Sequence, residues 1–201
     1  PASPDARPAA GTRTLGVPLT PPVSLINPLS LRAFNQLYYH RQRKSVVHAT
    51  THYQPFFYPL DSIANWNRIY GPRGFLQYQC VVPPEASEVT MTELVSTISA
   101  GGTGSFLAVL KQFGDKPSLG MLSFPRPGAT LALDFPNGGA PTLALLDRLD
   151  AIVDGVGGAV YPAKDARMSG AHFRRYFPQW EAFSRFIDPG ISSSFWRRVT
   201  E

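Results

Sequence analysis

Residues able to do chemistry fall in a few short stretches. Gln77 and Gln79 stand two apart in the run 74–82, Gly-Phe-Leu-Gln-Tyr-Gln-Cys-Val-Val, and Lys111 ends the alternating run Phe106-Leu107-Ala108-Val109-Leu110-Lys111. A strand sends every second side chain to one face, so both glutamines share a face, as do Leu107, Val109 and Lys111 on the second strand. Amides and an ammonium on a sheet face can bind hydroxyls or phosphate. The same alternation also describes a solvated sheet face, which the residues by themselves favour. Tyr161-Pro162-Ala163-Lys164-Asp165-Ala166-Arg167 puts a lysine just after a short strand, beside an acid and an arginine. That is either a structural ion pair or a cation projecting into a site, and spacing leaves both open.

Other candidates point away from chemistry. His48 and His52 are four apart, which would suit a metal pair on a helix. Their segment is expected to be a strand, where that spacing spans about 13 Å. No carboxylate stands nearby in the sequence, and no metal site is expected. Gly101-Gly102-Thr103-Gly104 is glycine-rich, but it follows a predicted helix and precedes a strand. A phosphate loop needs the reverse order, so this stretch is expected to be a helix C-cap. Cys80 is the only cysteine and sits in the apolar run Gln79-Cys80-Val81-Val82. It is expected to be a buried, inert thiol, and it excludes an internal disulfide.

The elements that must carry these residues follow from periodicity. Residues 1–24 are proline-rich and aperiodic, which suggests an extended arm or linker. Asn27-Pro28 opens a helix whose apolar positions are Leu29, Leu31, Phe34, Leu37 and Tyr38. Residues 45–58 are β-branched and aromatic and predict a strand. Pro59-Leu60-Asp61-Ser62 turns into a short helix capped by Asp61 or Ser62, with Ile63, Trp66 and Ile69 or Tyr70 inward, stopped by Gly71-Pro72. Strands are expected at 74–82, 105–112, 130–135 and near Tyr161. Helices are expected at 86–99, at 141–155 with Leu143, Leu146, Leu149 and Ile152 or Val153 inward, and near 169–176 and 178–187. Residues 113–128 predict a loop. The order implies an α+β fold: a mixed, mostly antiparallel sheet covered by helices on one face, with a C-terminal helical segment.

Composition bounds the remaining possibilities. The 201 residues are 43% hydrophobic and 16% charged, enough apolar content for a packed core. No apolar run approaches the roughly 18 residues that cross a bilayer. The net charge of +5 and pI near 9.6 raise the question of nucleic acid. The basic residues form two short groups, Arg41, Arg43 and Lys44, then Arg174, Arg175, Arg185, Arg197 and Arg198, and no long basic block. Nucleic acid is therefore not an expected partner. The start is polar and proline-rich, unlike a signal peptide. The expected location is cytoplasmic, with targeting information lying upstream of Pro1.

Five blocks carry a resemblance. They are Trp66-Asn67-Arg68-Ile69-Tyr70-Gly71-Pro72-Arg73-Gly74-Phe75-Leu76-Gln77-Tyr78-Gln79, Phe106-Leu107-Ala108-Val109-Leu110-Lys111-Gln112-Phe113-Gly114, Leu122-Ser123-Phe124-Pro125, Leu133-Asp134-Phe135-Pro136 and the Tyr161–Arg167 stretch. In order and spacing, from about Leu25 to Arg198, they resemble FAD-linked oxidases of the decaprenylphosphoryl-ribose oxidase type. That family belongs with the sugar-lactone oxidases among the vanillyl-alcohol-oxidase-like flavoenzymes. The resemblance implies that residues 25–160 are a substrate domain and 161–201 a segment returning to an FAD domain that lies mostly upstream. It implies FAD as cofactor and oxidation of a sugar hydroxyl by hydride transfer to the flavin. The electron acceptor stays open. The alternative is a stand-alone ligand-binding module without redox activity.

The resemblance also implies roles for particular residues. Lys164 would be catalytic at the junction of flavin and substrate, and Lys164 and Tyr161 would touch the cofactor. Gln77, Gln79 and Lys111 would bind a sugar-like substrate, Phe113 would wall the pocket, and Tyr58 is a further substrate contact. Two positions depart from the mycobacterial-type oxidases, which carry a cysteine where Ala132 stands and an asparagine where Thr130 stands. A polyprenyl-phosphoryl sugar is therefore not carried over as the substrate.

Overall fold

A computed structural model describes residues 15–102, 104–105, 107–164 and 167–201. The chain divides into two units, one ending at Gly74 and the other spanning Phe75–Glu201.

In the first unit the proline-rich arm is pinned in place from residue 15 on. Strand β1 (Leu15–Gly16) pairs in parallel with β2 (Ile63–Ala64). Arg68 donates through Nη1 to the carbonyls of Val17 at 3.1 Å and Pro18 at 2.7 Å. The expected arm over residues 1–14 lies outside the described residues. Helix α1 (Pro28–His40) begins where Asn27-Pro28 predicts. Asn27 Oδ1 accepts from the N–H groups of Leu29 and Ser30, and the Ser30 hydroxyl accepts from the Asn27 N–H, which closes a capping box. Of its apolar positions only Leu31 is buried; Leu29, Phe34, Leu37 and Tyr38 are exposed.

The strand expected over 45–58 is not formed. Residues 45–52 have no regular structure, and Tyr53–Phe57 is a short helix, α2. β-branched and aromatic content makes a strand only where a partner pairs with it. Pro55 and Pro59 each lack the N–H that a ladder needs. The turn that follows is two 3-10 helices, Pro59–Ser62 and Trp66–Tyr70. Tyr58 and Asn65 hold the cap positions expected of Asp61 or Ser62, and neither forms a side-chain capping bond. Tyr70 is the buried member of the predicted inner face.

The second unit contains the sheet. Its strands are β3 (Phe75–Val82), β4 (Ala108–Phe113), β5 (Gly128–Pro136) and β6 (Ala159–Val160). They lie in the order β4-β5-β3-β6, with every neighbouring pair antiparallel. The fold class is α+β, as the element order implied. Tyr78, Cys80, Val82, Leu131, Leu133 and Phe135 line one face and pack under helices α3 (Ser87–Ala100) and α4 (Ala140–Gly155). The helices contribute Leu94 and Ile98, and Leu145, Leu146, Leu149 and Val153. Burying each such side chain is worth about 1.5–3 kcal/mol. Leu143, expected inward, is 37% exposed, and Leu145 takes its place. The glycine pair after α3 is the C-cap expected from sequence. Gly101 N–H donates back to Thr97 and Ile98, and Gly102 adopts φ +63°.

On the opposite face the Val81 end is covered by apolar packing. Val81 and Ala159 pack there with Phe124, Met168, Phe173, Tyr176, Phe177 and Val199. These come from the loop between β4 and β5 and from helices α5 (Gly170–Tyr176) and α7 (Ser194–Thr200), with α6 (Trp180–Ser184) between them. Helix α7 has no counterpart in the sequence reading. Ser193 caps it by accepting from the Trp196 N–H at 3.0 Å.

Candidate functional site

The same face carries the polar residues, in rows that run from Gln77 and Asp134 at one end to Thr130 and Lys111 beside Val81 at the other. The ladder aligns Gln77 with Asp134, Gln79 with Ala132 and Val81 with Thr130 across β3 and β5, and Lys111 with Thr130 across β4 and β5. Cross-strand partners share a face, so Gln77, Gln79, Lys111, Thr130 and Asp134 stand on one surface, opposite the α3–α4 core. Gln79 Nε2 donates to the Thr130 hydroxyl at 3.2 Å. Gln77 and Gln79 are half-buried and Lys111 is exposed.

Lys164 reaches this face from the sheet edge. Strand β6 pairs with Cys80 and Val81, and among the described residues the rest of β3 has no strand on that side. The chain fills the gap with a tight turn. Tyr161 N–H donates to the Gln79 carbonyl at 2.8 Å, and Lys164 N–H donates to the Tyr161 carbonyl at 3.1 Å. Lys164 closes a 3-10 turn, Pro162–Lys164. It lines a cavity of about 30 Å³ with Gln77, Tyr78, Asp150, Arg167 and Tyr176, enough for a single water. Asp165 and Ala166 lie outside the described residues.

Arg167 anchors the turn to α4. Its Nη1 donates to Asp147 at 2.6 Å and to Asp150 at 2.8 Å. Arg167 makes ion pairs with Asp147 and Asp150, and Lys164 lines the cavity. Burial pushes the Tyr78 phenol well up, helped by Cys80 and Asp150. Burial likewise raises Tyr176, followed by the Asp150 and Asp154 carboxylates. Both phenols stay protonated near neutrality.

An aromatic wall adjoins the polar surface. Phe113 meets Phe124 edge-on at 6.0 Å, and Phe124 stacks on Tyr161 at 4.6 Å. Arg126 ties the loop carrying Phe124 to α5, donating through Nη2 to the Tyr176 carbonyl at 3.0 Å. Gln77 and Lys164 share the cavity at the sheet edge and Gln79 lies beside Tyr161, whereas Lys111 and Phe113 stand in the rows of Thr130 and Gly128, toward the Val81 end of the face. Tyr58 belongs to the first unit and is 55% exposed. His48 lies in the segment without regular structure, and the His52 ring rests on Tyr53 at 4.5 Å. Among the described residues, no three His, Cys, Asp or Glu side chains converge. No described helix is long and apolar enough to cross a membrane.

Asp134 is the site residue that sequence reasoning missed. It is 2% exposed, and its Oδ2 is buried without a hydrogen-bond partner. Its backbone N–H donates to the Ser105 hydroxyl at 2.8 Å. Burial pushes its carboxyl above the ordinary value, while a hydrogen bond from Gln77 and the charge of Lys164 pull it back. A signal was present in the run Leu131-Ala132-Leu133-Asp134-Phe135, where an acid takes the position opposite the leucines.

No family model matches the chain. It is 37% identical over 180 residues to decaprenylphosphoryl-β-D-ribose oxidase of Mycolicibacterium smegmatis, a match covering 86% of this chain and 38% of that protein. The chain resembles part of an FAD-linked oxidase. It is also 28% identical over 186 residues to an uncharacterized Streptomyces coelicolor protein, covering 90% of this chain and 50% of that one. The chain thus spans half or less of the length of these relatives. Among solved structures, prephenate dehydratase from Streptococcus mutans overlaps 43% of this chain and 39% of its own at TM-score 0.29 and 13% identity, too slight a likeness to relate the folds. The match to the oxidase extends through most of the chain, so the polar sheet face and the Lys164 turn sit in a sequence with an oxidase relative.

Proposed function

We propose that the chain is the substrate-side portion of an FAD-dependent oxidoreductase that oxidises a hydroxyl of a sugar or sugar derivative. The observation that carries this reading is the convergence of Lys164 with Gln77 and Gln79 on one sheet end, in a chain 37% identical to a sugar-phosphoryl oxidase. Residues 25–160 would form the substrate domain, and 161–201 the segment returning to the FAD domain.

The side chains fit the reactive end of a flavin better than its phosphates. Lys164 supplies a half-buried cation, and the glutamines supply hydroxyl-binding amides. The Gly101–Gly102 turn closes the C-terminal end of α3, where the helix dipole is negative and repels phosphate. When bound, FAD would accept the hydride from the carbinol carbon. Lys164 would hold negative charge where ligand and cofactor meet. Gln77 and Gln79 would orient ligand hydroxyls, and Lys111 would bind further oxygens at the exposed rim. Phe113, with Phe124 and Tyr161, would exclude water from one side. Tyr58 is kept as a proposed substrate contact of the complete protein, and the electron acceptor is left open.

The test is an absorption spectrum of the full-length protein before and after adding candidate sugars. Flavin bands that bleach with a sugar are expected. A full-length protein that cannot be loaded with FAD would overturn the oxidoreductase reading and leave a ligand-binding module. In the loaded protein, Lys164→Ala should lower turnover or flavin affinity while the fold survives. Unchanged kinetics and flavin content would refute its role.

A further inference from the structure

A buried carboxylate with one oxygen lacking a hydrogen-bond donor costs stability. Asp134 sits in a strand whose neighbours Leu133 and Phe135 are core. Its carboxylate is buried, and Oδ2 finds no hydrogen-bond donor. Leaving a buried acceptor unsatisfied costs free energy, more for a charged group. An apolar or amide side chain would avoid that cost at the same place. Two groups address the carboxylate. Gln77 is its direct cross-strand partner on the same face, and hydrogen bonding with Gln77 and the charge of Lys164 both favour the carboxylate. Both also line the small cavity at the sheet edge. Gln77 therefore links the buried acid, its cross-strand partner, to Lys164.

A glutamine amide presents a donor at one end and an acceptor at the other. An ionised carboxylate is acceptor-only, so the Gln77 end facing Asp134 must be its NH₂. Its Oε1 is then turned away from Asp134.

We infer that Asp134 is a positioning residue of the site: its carboxylate fixes the Gln77 amide so that Oε1 accepts from a ligand hydroxyl, and it holds the Lys164 ammonium beside that hydroxyl. Asp134 itself stays beneath the surface and acts through these two neighbours. The recognised chemistry is an alcohol O–H, with the amide oxygen accepting its proton side and the ammonium facing its oxygen. This inference deepens the proposed oxidoreductase reading and rests on it.

The test has two arms. In the 201-residue chain, the Asp134 carboxyl is titrated by carbon-13 NMR. Gln77→Leu and Lys164→Met are each expected to move its midpoint upward, because each removes a group that favours the carboxylate. In Asp134→Asn, the side-chain amide resonances of Gln77 should shift. A midpoint that neither substitution moves overturns the proposal, whatever the enzyme does.

In the flavin-loaded full-length protein, Asp134→Asn is expected to raise KM for the hydroxyl ligand by about tenfold, the worth of one oriented hydrogen bond, with a smaller change in kcat. Unchanged KM with normal flavin content would also overturn it. Failure of the full-length protein to bind flavin would sink the oxidoreductase reading, while the NMR arm would still decide the coupling of Asp134 to Gln77 and Lys164.

Discussion

Arg167 holds the Lys164 turn onto the sheet edge, and the cost of losing it can be worked from its two carboxylates. The Asp147 side chain is 66% exposed, so its bond at 2.6 Å is a surface pair, worth under about 1 kcal/mol. The Asp150 side chain is 7% exposed and Arg167 itself 21%, with 2.8 Å between them. Arg167→Met keeps the aliphatic stem but leaves Asp150 as a buried charge without its guanidinium. Stranding one partner of a buried pair costs about 3–5 kcal/mol. Partial access of water to Arg167 pulls this to the lower end, about 3 kcal/mol. For a chain of this length each kcal/mol moves the melting temperature by about 2–4 °C, so a drop of about 6–12 °C is expected by far-UV circular dichroism. Asp147→Asn should shift it by no more than about 4 °C. The double variant Arg167→Met/Asp150→Leu should recover most of the loss, because an apolar pair of similar volume replaces a buried ion pair at little cost. A single Arg167→Met variant that melts with the wild type would refute the clamp. A double variant as unstable as the single would show that the loss came from packing rather than charge.

Three further outcomes follow from buried groups and backbone. Burial pushes the Cys80 thiol up to about 12, so it should resist alkylation in the native chain and react on unfolding. Its folded value lies above the unfolded one, so its contribution to stability is intact below about 9 and declines as pH rises toward 12; rapid native-state labelling would contradict this placement. Gly128 adopts φ +142°, and a Cβ there would lie 2.0 Å from the Val82 carbonyl oxygen. Gly128→Ala should therefore destabilise by more than about 3 kcal/mol in denaturant titration, and a variant within about 0.5 kcal/mol of wild type would refute the geometry. For Asp134, burial raises the carboxyl, so its ionised form is disfavoured in the folded state. The wild type should lose stability relative to Asp134→Asn as pH rises above about 4, and a gap between their melting temperatures that does not widen with pH would count against it.

The second unit was largely legible in the sequence, and the first was not. Alternation in 74–82 specified that strand and which of its side chains share a face, because a period of two admits a single assignment once one face is apolar, and a strand was expected at 130–135 as well. Helix α4 was legible for the same reason at a period of 3.6, apart from the exchange of Leu143 for Leu145. Asn27 announced α1 through its own capping chemistry. The apolar stripe of α1 misled, because only Leu31 is buried within this chain. Residues 45–58 misled because β propensity reports fit to a neighbouring strand, and no neighbour is there. At the site, alternation alone put Gln77 and Gln79 on one face of their strand and Lys111 on one face of another, and the ladder register brings these faces together. Lys164 could not be placed, because its position depends on a turn that bonds to the Gln79 carbonyl. Asp134 went unnoticed because an acid within an apolar strand draws attention only once its burial is known.

The site owes its location to how short β6 is. Two residues pair with Cys80 and Val81, and among the described residues the remainder of β3 is left without a strand on that edge. An exposed edge invites another chain to pair with it. Here the Tyr161–Lys164 turn spends one backbone bond on Gln79 and fills the gap with a cation. On the same face the C-terminal helices cover the Val81 end. That face carries two half-buried glutamines and an exposed lysine, with Thr130 and Asp134 buried in the strand between them. Sheets of this kind commonly leave one face to water, and a solvated face would explain Gln79 and Lys111 without further assumption. It does not explain Asp134, which water cannot reach and which stability alone would replace. The buried acid is what the proposed binding face accounts for and a solvated one does not. It also makes Asp134→Asn the substitution on which the two readings differ most: on a merely solvated face it should stabilise the fold and change nothing else, and on a binding face it should stabilise the fold while weakening the grip on a hydroxyl.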